Sequence, residues 1–285
     1  MQTKNPTKIG FQKHQQGKVT VYFDPAFVPA SAVENLLTLP ETLQTMAGRD
    51  SRSAGHKSVW TWEPEWSGTT KFVVRKYMHG GLLRHVWRDW FLQRGPMFRE
   101  LNIARHLQRN GVPTPSPVAL RLQKLLGPVH RAHYISQKVL DSVDLLSLCR
   151  KFLESTAPPP EVRQSLASAI ASLLFRLHEA GICHKDLNLK NILLSPETSP
   201  TRAFIIDFKK AVWKEEITLR EGFENLVRLD RSIVKWAASR KFLTLSDRLR
   251  VLRNYIRLRG GQNRGWKDIA RGILTHHRLH SLTRK

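Results

Sequence analysis

Residues 177–194 read LHEAGICHKDLNLKNILL. An apolar helix tail, Leu177-His178-x-x-Gly181, runs into a polar loop and out again through Ile192-Leu193-Leu194. Inside the loop, His184-Lys185-Asp186 is followed five residues later by Asn191. Thirteen residues further on, Phe204-Ile205-Ile206-Asp207-Phe208 brings a second aspartate to the end of an apolar run. A lone His-x-Asp would mean little, because polar residues of this kind commonly cap turns. The ordered set is harder to obtain by chance.

The pattern on either side sorts into two halves. Upstream of the loop, residues 161–180 read as a helix closed by Gly181, with Ala157-Pro-Pro-Pro160 as linker and start signal and a short helix over 144–153. The first half is strand-rich. Lys18–Phe23, Val59–Trp62 and Lys71–Tyr77 read as strands, 111–118 (GVPTPSPV) breaks the chain, and a strand pair extends to Val139. Phe98, Leu101, Ala104 and Leu107, at steps of three, mark a helix over 96–109, and Ala32–Leu39 a shorter one. After the loop come two short strands, Ile192–Leu194 and Ala203–Ile206, then apolar and basic residues at helical spacing over 215–282. This predicts an α+β protein with a strand-rich domain over 1–139 and a mostly helical one over 140–285.

Composition narrows the class. Apolar residues make up 41% of the 285, enough for a real core. Forty-seven Lys and Arg oppose 23 Asp and Glu, a net charge of +24, so the surface should seek anions. Cys149 and Cys183 are too few for a disulfide framework and stand in no metal-binding pattern. The start, MQTKNPTKIGFQK, lacks the apolar core of a secretory signal, and no apolar run nears the roughly 18 residues that span a bilayer. A cytoplasmic protein is expected.

The loop resembles the catalytic core of the protein-kinase-like phosphotransferases: His-x-Asp-x-x-x-x-Asn, then an apolar strand ending in Asp-Phe. The resemblance implies a two-lobed protein-kinase-like fold, with a strand-rich N-lobe and a compact helical C-lobe, that uses ATP and Mg²⁺. By it, Asp186 orients the acceptor hydroxyl and receives its proton. Asn191 and Asp207 hold metal through the hard oxygens that Mg²⁺ prefers. Lys190 reaches toward the transferred phosphate, and His184 packs against Phe208. The family also has a strand lysine paired with a helix glutamate. Lys76 of Val73-Val74-Arg75-Lys76 is preferred for that role and Arg75 is its competitor; the two point to opposite faces of a strand, and Glu100 is the expected partner. Gly48, Arg49 and Gly55, in the loop GRDSRSAG, are candidates to cover the phosphates, although the loop is no proper GxGxxG. Lys209 follows Asp207-Phe208 where a glycine is usual, and no Ala-Pro-Glu segment follows, which argues against a regulated protein kinase.

A second series is similar to the bacterial lipopolysaccharide-core kinases, the 3-deoxy-D-manno-octulosonic acid (Kdo) kinases in particular. It comprises Val74-Arg-Lys-Tyr-Met-His-Gly-Gly-Leu-Leu-Arg84, Trp90–Gly95, Phe98-Arg-Glu100, 111–118 and Asp186-Leu187-Asn188. This likeness implies phosphorylation of a sugar hydroxyl, O-4 of Kdo on a lipid A precursor, by a protein peripheral on the cytoplasmic face of the bacterial inner membrane. The charge fits such a partner, a Kdo-bearing or related phosphorylated glycolipid in an anionic membrane surface. From Arg248 to Lys285 there are nine Arg and two Lys against Asp268 alone. Lys235, Trp236, Arg240, Trp266 and Lys267 interleave aromatics with cations as an interfacial surface would, and Arg84, Arg88 and Arg94 form a second cluster. The ATP-side residues leave other acceptors open: a core heptose, a small molecule or a protein. A basic nucleic-acid-binding protein with a kinase-like fold is the remaining alternative. Only the net charge supports it, and no nucleic-acid partner is expected.

Overall fold

The computed structural model describes residues 6–39, 59–78, 89–152, 159–195, 200–236 and 242–260. The chain forms two compact units, one of residues 1–106 and 115–139, the other of 107–114 and 140–285.

The first unit is built on a six-stranded antiparallel sheet. Its strands are β1 (Gln12–Gln16), β2 (Val19–Phe23), β3 (Val59–Trp62), β4 (Phe72–Lys76), β5 (Pro117–Lys124) and β6 (His130–Gln137), in the order β1-β2-β5-β6-β4-β3. Alternation along the inner strands gives the sheet two apolar faces. Val21, Phe72, Val74 and Ile135 pack on one side with Leu36 and Leu37 of helix α1 (Val33–Leu37). Tyr22, Tyr77, Leu120 and Tyr134 pack on the other with Met97 and Leu101 of helix α2 (Gly95–Arg109). No strand signal marks β1, because all five of its residues are exposed. It forms by pairing with β2 across a tight turn, where Gly17 takes φ 54°.

In the second unit, helix α3 (Leu145–Lys151) follows the two-residue strand β7 (Val143–Asp144), and the Asp144 carboxylate caps it by accepting the Ser147 N–H at 3.0 Å. Helix α4 (Pro160–Glu179) buries Leu166, Ile170, Leu173, Leu174 and Leu177 along one stripe. Next come β8 (Ile182–His184), β9 (Ile192–Ser195), β10 (Arg202–Ile205) and β11 (Ala211–Trp213). They form two small antiparallel sheets, β10-β9-β7 and β11-β8. Helices α5 (Leu219–Lys235) and α6 (Leu245–Leu258) each begin with a reciprocal capping box, Thr218/Glu221 and Thr244/Asp247. Gly181, between α4 and β8, has two reasons to be glycine. Its φ is 74°, and a Cβ there would collide with the Lys214 carbonyl. No helix among the described residues is long and apolar enough to cross a membrane.

Candidate active site

β8 delivers His184, buried on all sides, to the head of the polar loop. Its backbone N–H donates to Asn225 Oδ1 at 2.9 Å, and the same amide donates from Nδ2 to Cys183 Sγ at 3.0 Å. The His184 ring is a brace. Nδ1 accepts the Asp186 N–H at 3.3 Å, so Nε2 carries the proton and donates to the Ile206 carbonyl at 3.1 Å. Burial pushes its pKa down, which keeps the imidazole neutral. Its ring meets Phe208 edge-on with centroids 5.9 Å apart, the packing role expected for it.

The loop is cinched around the Asp186 carbonyl, which accepts from both Asn188 Nδ2 and Asn191 Nδ2 at 2.9 Å. Leu187 and Leu189 anchor it in the core, and the Leu189 N–H donates to Ser232 Oγ on α5 at 3.2 Å. The Asp186 carboxylate remains 48% exposed, and Lys210 Nζ lies 3.2 Å from its Oδ2. Asn191 joins the two stretches, since its carbonyl accepts the Ile206 N–H at 3.0 Å. Ile206 stands one residue past β10, which pairs with β9 through Ile205 and Ile192. β10 is also held from the Pro-rich segment: Ile205 donates to the Pro113 carbonyl at 3.0 Å, and Thr114 Oγ1 donates to the Ile205 carbonyl at 2.9 Å.

Asp207 comes next, with φ 65°. A non-glycine residue in the left-handed region carries strain of order 1–3 kcal/mol. It persists here because the neighbours on both sides are fixed, Ile206 by Asn191 and Phe208 by burial. Asp186 and Asn191, five residues apart, are thus tied to the Asp207 stretch through His184 and Ile206. Asn191 donates from Nδ2 to the Asp186 carbonyl, so the acceptor atom of its side chain is Oδ1, and Asp207 contributes a carboxylate. Both are hard oxygens, as Mg²⁺ requires. Among the described residues, no three His, Cys, Asp or Glu side chains converge on one point. These two oxygens would therefore hold an ion together with phosphate and water oxygens.

In the first unit the expectation that Lys76 meets Glu100 is corrected. Arg75 pairs with Glu100, which is 1% exposed and also accepts from Tyr77 Oη. The pleat is the reason. Phe72 and Val74 belong to the face under α1, so Arg75, of the opposite parity, shares the α2 face with Tyr77. Its guanidinium carbon stands 5.1 Å from the Tyr77 ring centroid and 5.5 Å from that of Tyr134. Burial and then the Glu100 charge drive the Tyr77 pKa well above its ordinary value. Lys76 instead meets Asp89 at 2.5 Å, a carboxylate it shares with Arg131 at 2.9 Å.

Lys190 is exposed, with its ammonium 5.6 Å from the Trp236 ring centroid. Arg94 donates from Nε to His130 Nε2 at 3.1 Å. Gly48, Arg49, Gly55, Arg84, Arg88, Arg240, Trp266 and Lys267 lie outside the described residues. Sequence reasoning missed Lys210 and Asn225. Asn225 had a signal, as the one polar residue in the buried stripe Gly222, Asn225, Leu226, Leu229, Ile233 of α5. Lys210 had none, being one basic residue among many.

A model of the lipopolysaccharide kinase (Kdo/WaaP) family matches residues 54–255. A 3-deoxy-D-manno-octulosonic acid kinase of Mannheimia succiniciproducens is 31% identical over 189 residues, covering 59% of this chain and 72% of the relative. One from Photobacterium damsela subsp. piscicida is 30% identical over 207 residues, covering 68% and 81%. Among solved structures, WaaP in complex with acyl carrier protein superposes with a TM-score of 0.55 at 22% identity, covering 88% of this chain and 95% of that one; the fold is shared.

Proposed function

The chain belongs to the lipopolysaccharide kinase (Kdo/WaaP) family, and from that premise we propose that it transfers the γ-phosphate of ATP to O-4 of Kdo on a lipid A precursor. The observation that carries the reading is the cinched loop. The Asp186 carbonyl is locked by two side-chain amides while the carboxylate stays open to solvent, as a group that must receive a hydroxyl proton requires.

The resemblance to the kinase loop supplies the roles, and the geometry supports them. Asp186 orients the acceptor hydroxyl and takes its proton as the oxygen attacks the γ-phosphorus. Lys210, beside that carboxylate, faces the negative charge of the phosphoryl group in transit. Asp207 and Asn191 would hold Mg²⁺, which when bound neutralises phosphate charge and aligns the nucleotide. The left-handed backbone at Asp207 sets the direction in which its side chain leaves the main chain. Arg75, steadied by Glu100 and two tyrosine rings, is the strand cation proposed for the ATP phosphates. The net charge of +24 supports peripheral attachment to an anionic cytoplasmic membrane surface.

The test is transfer of label from γ-labelled ATP, with Mg²⁺, onto lipids bearing one Kdo, two Kdo, or Kdo plus heptose, followed by location of the phosphate by NMR. Phosphate at O-4 of Kdo is expected. Labelling of heptose alone would sink the acceptor assignment. Asp186→Asn should lower turnover by about a thousandfold with unchanged circular dichroism; wild-type turnover would remove Asp186 from its role.

A further inference from the structure

Three cations converge on one indole at the edge of the catalytic loop. The ring centroid of Trp236, the residue that ends α5, lies 5.3 Å from Arg150 Cζ, 5.6 Å from Lys190 Nζ and 5.9 Å from Lys235 Nζ. The cations come from three elements: the last turn of α3, the catalytic loop, and the last turn of α5. No two can stand farther apart than the sum of their distances to the ring, a span comparable with the Debye length of about 8 Å at physiological salt. All three are exposed. Among the described residues no Asp or Glu lies within ion-pairing distance of any of them.

Other gathered cations among the described residues are matched by acids. Arg75 has Glu100, Lys76 and Arg131 have Asp89, and Arg163 and Arg250 share Asp247. Helix dipoles explain Arg150 and Lys235 one at a time, since cations near a helix C-terminus are favourable. They do not explain why the two meet on one ring with Lys190, which ends no α-helix. Cation–π attraction offsets part of the repulsion among three like charges, at about 0.5–1 kcal/mol per exposed contact. A bound anion would relieve the rest.

We propose that Arg150, Lys190 and Lys235, arrayed around Trp236, form a subsite for an acidic group of the acceptor, a carboxylate or phosphate displayed beside the sugar hydroxyl to be phosphorylated. The proposal rests on the reading of the chain as a kinase of acidic glycolipids, and extends it from the reacting atoms to acceptor recognition. Placement supports it. Lys190 is four residues from Asp186 in the same loop, and the Leu189 N–H is tied to Ser232, three residues before Lys235. An anion held here is carried by the element that positions the catalytic carboxylate. The indole gives the sugar ring an apolar surface beside the charges, and Arg150 offers the planar fork that suits an oxyanion.

Two measurements on the full chain test it. The first compares Arg150→Gln/Lys235→Gln with wild type, using Kdo lipid dispersed in neutral detergent micelles so that no anionic membrane is present. The acceptor KM should rise about tenfold or more, the scale of one lost charge-assisted contact, while the KM for ATP stays within twofold. An unchanged acceptor KM, with weaker adhesion to anionic vesicles only, would overturn the subsite and make the cluster a membrane contact. The second needs no catalysis. In chain labelled with 5-fluorotryptophan, the Trp236 resonance, assigned by its loss in Trp236→Phe, is followed by ¹⁹F NMR during titration with free Kdo and, separately, inorganic phosphate. A saturable shift with either anion, absent from the double variant, supports the subsite and identifies which acid it prefers. No saturable shift with either overturns it. Because this readout is independent of turnover, a chain that phosphorylates no Kdo lipid but shows the shift would lose the proposed function and keep the anion site.

Discussion

Arg75 and the Trp236 cluster set two uses of positive charge side by side. Arg75 is largely buried, paired with a carboxylate that is itself buried, and flanked by two tyrosine rings. Arg150, Lys190 and Lys235 are exposed and, among the described residues, share an indole in place of an acid. In the first case a buried carboxylate holds the cation in one geometry, the fixed stance proposed above for meeting the ATP phosphates. In the second the field is open to a ligand. The two groups draw on the same residue types, so a net charge of +24 by itself does not tell which cations are available.

The sharpest way to break that contrast is Glu100→Ala. Removing one partner of a buried pair leaves the other uncompensated, so a loss of about 3–5 kcal/mol in urea-unfolding free energy is expected. Lys76→Ala should cost under about 1 kcal/mol, because Asp89 keeps Arg131. Equal losses would mean that Arg75 is no more embedded than its neighbour.

Asn225→Ala comes next. Asn225 is fully buried and holds the His184 N–H, so its loss strands a buried donor at a cost of about 1–3 kcal/mol. Turnover should fall with it while the KM for ATP holds, since the damage enters through the catalytic loop. A loss of stability with unchanged turnover would confine Asn225 to the core. Gly222→Ala should do related damage, because a Cβ there would strike the Tyr255 hydroxyl, which lies 2.7 Å from His178 Nδ1.

A smaller effect, per pH unit, comes from buried imidazoles. Burial lowers His178 to about 4. Burial first, then the charges of Arg121 and Lys76, lowers His133 to about 3. Both depressions favour the neutral ring in the folded state. Below the ordinary value of 6.5 the unfolded chain therefore binds more protons. The stabilisation is complete above pH 6.5 and drains away as pH falls toward 4 and then 3, at up to about 1.4 kcal/mol per pH unit for each ring. Urea melts between pH 7.5 and 4.5 check this, and a flat profile contradicts it. Smallest of all, Arg150→Gln/Lys235→Gln should shift stability by no more than about 0.5 kcal/mol per site. A large loss would show that these cations are structural, which would dissolve the contrast with Arg75.

Much of the catalytic loop was legible because its information is local. His184, Asp186, Asn188 and Asn191 lie within eight residues of one another, and their mutual hydrogen bonds span two to five residues. Most strands and helices were legible for the same reason, since periodicity records burial. β1 was not, because an exposed strand owes its existence to its partner. Arg75 and Lys76 are adjacent, and strand propensity treats them alike. Only the identity of the face under α2 separates them, and that depends on the register of the whole sheet.

The order His184, Asp186, Asn191, Asp207 and the basic excess were determined by the sequence alone, because spacing along a chain and charge are properties of the chain itself. Which cation meets Glu100, which amide seizes the His184 backbone, and that Arg150, Lys190 and Lys235 share one ring were decided by tertiary structure. Each joins residues between 25 and 86 positions apart or from separate elements. Contacts at that range are selected by how helices and strands pack, which no local pattern encodes.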